Sequence, residues 1–116
     1  RARASSRRLA GPEGLLAVME RHRLDAVVAP TGGPAGVTDL VNGDHFVVGS
    51  STPAAVAGTP AVTVPAGQVF GLPVGITFMG RAWSEARMLA LAPAYEQATR
   101  HRRPPRLAPE ADLGAR

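Results

Sequence analysis

The sequence predicts an α/β fold. A helix-period stretch at residues 12–22 runs directly into a short, continuous apolar segment ending at Pro30. Two more apolar runs, Ala61–Val64 and Val74–Met79, are bounded by glycine and proline, and a second helix-period stretch starts near Ser84. Helix and strand patterns alternating along one chain are the mark of that class. With 116 residues, 45% of them apolar, the chain fits one domain of ordinary size. A chain this short buries a modest share of its surface, so large exposed apolar faces would indicate a missing neighbour.

The pattern divides the chain into a basic lead-in (1–11), a body (12–101) and a Pro/Arg-rich tail (102–116). The lead-in is expected to be helical, since Leu9 and Ala10 run straight into patterned sequence. Gly11-Pro12 breaks it, because proline disfavours helix in the residue before it yet suits a first helical turn. From Pro12 to about His22, Leu15, Leu16 and Met19 share one helical face. The run Ala26–Ala29 reads as a strand buried on both faces. Residues 31–51 hold six glycines and prolines between Gly32 and Gly49 and show no period, so they form a long loop. Long ordered loops tend to be functional, and in open α/β sheets ligands bind beyond strand carboxyl ends, the position from which this loop departs at Thr31.

Thr52 is expected to cap a short helix with Pro53 at its first position, ended by Gly58. Two strands follow, Ala61–Val64 and Val74–Met79, with Gly67, Gly71 and Pro73 marking the link between them. Ser84 is expected to cap a last helix whose apolar side carries Met88, Leu89, Leu91, Ala92 and Tyr95. Pro93 inside it should kink the helix or split it in two, since an interior proline costs about 3 kcal/mol. The tail from Arg102 is expected to lie extended.

All 13 basic residues are arginine; there is no lysine and no cysteine. The net charge of +4 resides at the two ends, and the body between them is mildly acidic. The tail arginines sit among prolines and lack the aromatic partners that stack on bases, which argues against a nucleic-acid partner. Absence of cysteine removes disulfides and thiolate chemistry. No apolar run approaches the ~20 residues of a membrane span, so no membrane partner is expected and the cytoplasm is the default compartment.

Asp39, Asp44 and His45 place two carboxylates and an imidazole within seven positions, but their spacing matches no calcium loop or zinc motif. Turn and cap roles fit Asp39, Asn42 and Asp44 better, since such side chains bond nearby backbone. Ser50, His45 and Asp39 could be written as a catalytic triad, yet no G-x-S-x-G elbow surrounds Ser50 or Ser51. Thr31, Asp39, Asn42, Asp44 and His45 are therefore candidates for lining a substrate pocket, with no metal and no catalytic residue among them.

The stretch Gly58-Thr59-Pro60-Ala61-Val62-Thr63-Val64-Pro65-Ala66-Gly67, followed by Gly71-Leu72-Pro73-Val74-Gly75-Ile76-Thr77-Phe78-Met79-Gly80, resembles the C-terminal part of the amidase-signature family. Leu24–Thr31 is similar to the family's strand before its substrate-side loop, and Glu96-Gln97-Ala98-Thr99 to its last long helix. The resemblance implies an α/β/α fold around a mixed sheet, with residues 12–101 as the C-terminal part of an amidase domain. It implies hydrolysis of a small-molecule carboxylic amide without a cofactor. A serine, a second serine in a cis peptide and a lysine base would do this, all in a region upstream of the matched part. This chain would then supply sheet scaffold and pocket wall to the rest of the amidase domain and be inactive alone. Arginine cannot replace the lysine, because a guanidinium does not give up its proton at working pH. Pro93 and the side-chain-free pair Gly32-Gly33 depart from the family's pattern. The alternative is a non-catalytic binding or interaction domain derived from the same fold.

Overall fold

The computed structural model describes residues 1–105. Helix α1 (Ala2–Ala10) confirms the helical lead-in. It passes through a kinked π-type turn, Gly11–Leu15, into α2 (Leu16–Arg21). The kink lies at Gly14, whose backbone (φ −117°, ψ −109°) is non-helical and where a Cβ would strike the carbonyl oxygen of Leu9. Strand β1 (Val27–Pro30) follows, then the long loop, α3 (Ser51–Ala57), β2 (Ala61–Val69), β3 (Leu72–Met79) and α4 (Glu85–Thr99).

The three strands form one sheet in the order β1-β3-β2, with both pairings antiparallel. Central β3 pairs Val28 with Phe78 on one side and Val62 with Phe78 on the other. The sheet has a helical layer on each face. Val64 and Phe78, flanked by Val62 and Ile76, pack on Met88, Leu91, Ala92 and Tyr95 of α4. The Phe78 and Tyr95 rings meet edge-on at 5.8 Å. On the opposite face Met79, Val27 and Ala29 pack on Leu15, Met19 and Ala54. Alternate side chains of a strand point to opposite faces, so the run Ile76–Met79 feeds both cores. This is the α/β class with helices on both sides of a sheet.

Several local expectations need correction. Val27–Pro30 is not buried on both faces: it alternates half-buried and exposed, because β1 is a sheet edge and α4 does not extend over it. Strand β2 continues to Val69, five residues past the expected end, because a bulge between Pro65 and Gly67 absorbs the irregularity that reads as a break. The short helix starts at Ser51 with Ser50 in the cap position, and neither it nor α4 has a side-chain cap hydrogen bond. The Ser84 hydroxyl donates instead to the Arg81 carbonyl at 2.7 Å. Helix α4 runs unbroken through Pro93. Leu89, whose carbonyl the proline leaves without a donor, is 61% exposed and so open to water rather than on the packed side as expected, while Ala92 stays in the core. Of the tail expected to be extended, Arg102–Pro105 has no regular structure, and the remainder lies outside the described residues.

β2 and β3 are joined by the two-residue turn Phe70-Gly71, both with positive φ (52° and 79°). Such turns favour Asn-Gly, and a bulky residue in that conformation is strained. Phe70 is 99% exposed and loses no packing when replaced. Phe70→Asn is therefore expected to raise stability by about 1 kcal/mol, read as a melting temperature higher by a few degrees.

Candidate functional site

The loop from Thr31 to Ser50 starts and ends at the same corner of the sheet. The Thr31 amide donates to the Gly75 carbonyl at 2.8 Å, and the Ser50 amide to the Thr31 carbonyl at 3.3 Å. Gly32 and Gly49 form an isolated antiparallel bridge between these two ends. At Gly49 the Phe46 ring lies so close that a Cβ would sit 2.6 Å from it. Glycine lets the ring fold over the closing end of the loop.

Inside the loop Asp39 organises a turn. Its Oδ1 accepts from the amides of Val41 and Asn42, both at 2.9 Å, and its Oδ2 accepts from Asn42 Nδ2 at 3.1 Å. The turn role read from the sequence is thus observed for Asp39 and Asn42. The Asn42 amide bond first, then that of Val41 and the Asn42 side chain, hold the Asp39 carboxyl below its ordinary pKa of 3.8. A carboxylate with a depressed folded-state pKa stabilises above its unfolded value, and that contribution disappears as pH falls through the folded value. The turn should therefore be intact above about pH 4 and loosen below it. Amide exchange at Val41 and Asn42 measured from about pH 5 to about pH 2.5, corrected for intrinsic rates, checks this. Asp39→Ala should abolish the pH dependence.

The loop encloses a concavity of about 800 Å³ lined by Pro34, Gly36, Val37, Thr38, Asp39, Leu40, Asp44, His45 and Val47. His45 Nε2 lies 3.7 Å from Asp39 Oδ2. Among the described residues no group of three or more His, Cys, Asp or Glu side chains is placed so that it could hold a metal ion. The concavity thus unites Asp39, Asp44 and His45, and Asn42 steadies Asp39 from outside the lining. Thr31 lies elsewhere. Its hydroxyl sits on the sheet, 2.7 Å from that of Thr77, which in turn is 2.9 Å from that of Thr63. Thr63 and Thr77 are not marked by sequence reasoning, because only the β2–β3 register, which sets them opposite one another, reveals the cluster.

The surface of the loop is unusually apolar. Val37, Leu40, Val41, Phe46 and Val47 are 81–93% exposed. A second, apolar concavity of about 500 Å³ lies where the loop meets the sheet, between Val28, Pro30, Val48, Val69, Val74 and Ile76. Exposed apolar surface on this scale marks a face that another polypeptide or a ligand covers. Ser50 is buried and its hydroxyl has no partner among the described residues.

The family model described as Amidase matches residues 4–89. A putative amidase of Arthroderma benhamiae is 37% identical over 108 residues, covering 78% of this chain and 15% of that protein. A glutamyl-tRNA(Gln) amidotransferase subunit of Desulforudis audaxviator is 48% identical over 48 residues, or 41% of this chain and 10% of that one. Among solved structures, a peptide amidase in complex with the competitive inhibitor chymostatin superposes with a TM-score of 0.88 at 56% identity, over 92% of this chain and 22% of that one. The native peptide amidase of Stenotrophomonas maltophilia gives 0.81 at 55% identity, over 91% and 21%. The chain spans about a fifth or less of these relatives and matches their C-terminal part. By sequence and by fold, the chain belongs to the amidase-signature family.

Proposed function

We propose that this chain acts as the C-terminal part of an amide-hydrolysing enzyme, completing its sheet and forming one wall of the pocket that receives the acyl part of the amide. The observation that carries this reading is the Thr31–Ser50 loop. It is closed at both ends on the sheet, bears a carboxylate-anchored turn, and presents an apolar surface that the described residues leave uncovered. In this reading the missing cover is the remainder of the amidase domain. Asp44 and His45 face the pocket, Asp39 and Asn42 hold its shape, and Thr31 fixes where the loop departs. The nucleophilic serine, the relay serine and the lysine base come from outside these 116 residues, and no cofactor takes part. The 55–56% identity to peptide amidases extends over about nine-tenths of this chain, whereas the 48% identity to an amidotransferase subunit covers only 41% of it, which supports a small peptide-like amide as substrate. The cytoplasm is the compartment this reading assumes.

The test is a graft: this chain replaces the matching segment of the Stenotrophomonas maltophilia peptide amidase, and hydrolysis of a peptide amide is measured. The expected result is a folded enzyme retaining activity within about tenfold of its parent, since one such factor equals only ~1.4 kcal/mol of barrier. A graft that folds with native-like melting yet hydrolyses nothing would favour a binding domain instead.

A further inference from the structure

Three threonine hydroxyls meet on the sheet face that carries Met79 and Ala29, beyond the end of the Leu15–Met19–Ala54 core. Thr63 and Thr77 alone would be an ordinary cross-strand pair, which stabilises antiparallel sheets modestly. Three observations set this cluster apart. The third hydroxyl comes from Thr31, the first residue of the loop, 46 positions from Thr77. Thr77 is 4% exposed, so its hydroxyl depends on protein partners. At Gly75 a Cβ would lie 2.8 Å from Thr31 Oγ1 and 2.9 Å from Thr63 Cγ2, so the space that lets Thr31 reach the cluster exists only because residue 75 has no side chain.

The contacts are unequal. Thr31 Oγ1 to Thr63 Oγ1 is 3.4 Å, beyond the usual O–H···O range, whereas both bonds to Thr77 are short. Thr77 is therefore the hub. It has one proton to give, so it donates in at most one of these two bonds and accepts in the other. Together with the Thr31 amide bond to Gly75 and the Ser50 amide bond to Thr31, this fastens both ends of the loop to central β3.

We propose that Thr77 is a positioning residue for substrate binding, its hydroxyl holding Thr31 and through it the pocket-forming loop in register with the sheet. The proposal rests on the amidase reading above. Small displacements of a positioned wall weaken binding of substrate and transition state alike, so the loss should appear in KM more than in kcat. In the active graft, Thr77→Val preserves shape and removes only the hydroxyl. It is expected to raise KM about tenfold, with kcat within about twofold and the melting temperature within a few degrees. Thr77→Ser, which restores the hydroxyl, should bring KM back to within about twofold. Gly75→Ala displaces the Thr31 hydroxyl without deleting one and should also raise KM; it decides the matter if the valine variant does not fold. An unchanged KM in Thr77→Val, or a serine variant as impaired as the valine variant, overturns the inference while leaving the amidase reading intact. A folded but inactive graft with all three threonines present contradicts that reading and takes this inference with it.

Discussion

Met88→Ala is expected to lower the stability of this chain by about 2–5 kcal/mol, the range for truncating a fully buried Leu, Ile or Met. Met88 is completely buried, packed with Val64, Phe78 and Ala92 between the sheet and α4. A Cβ at Gly80 would lie 3.0 Å from its Cε and Sδ, so the side chain is enclosed on the strand side as well. Domains of this size have only ~5–15 kcal/mol in total, so the variant should melt far lower or fail to accumulate. Met88→Leu, close in volume, should cost less than about 1.5 kcal/mol. Chemical denaturation of the three proteins checks both values. A loss below about 1 kcal/mol for the alanine variant would show that α4 is not seated on the sheet as described.

The second large effect concerns chemistry. Family resemblance assigns hydrolysis to a serine, a relay serine and a lysine, and these 116 residues contain no lysine at all. Arginine cannot accept the proton. Ser50, the one buried serine among the described residues, has no base in contact: its hydroxyl has no partner there, and His45 is directed to Asp39. Loss of an entire catalytic triad costs roughly 10⁶ in kcat in a serine hydrolase, so the chain alone should not hydrolyse peptide amides above background. Placing a lysine at any loop position should not rescue it, because the nucleophile is missing too.

The elements legible in the sequence are those with strong local signals. Leu15 and Met19 at helical spacing, the Ile76–Met79 run and Gly58 in the left-handed conformation (φ 77°) behave as their patterns require. Where local patterns mislead, tertiary context overrides a local cue. Gly67 and Pro73 look like parts of a link, yet Gly67 sits at a bulge within β2 and Pro73 lies within β3. Pro93 looks like a helix breaker and is tolerated on an exposed side. Val27–Val28 looks doubly buried and is an edge strand with one face open. In the candidate site, Asp39 is legible as a turn former because its bonds run only two and three residues along the chain. The threonine cluster joins residues 14 to 46 positions apart, and no local pattern encodes it.

If this chain provides scaffold and pocket wall while the reacting groups come from elsewhere in the domain, activity should require both pieces. The most direct measurement is peptide amide hydrolysis by the 116-residue chain, alone and after mixing with a Stenotrophomonas maltophilia peptide amidase lacking the matching segment. The expected result is no turnover by either piece and measurable turnover once they are combined. Turnover by this chain alone, at a rate that rises with its concentration and survives repurification, would contradict the division of labour proposed for it.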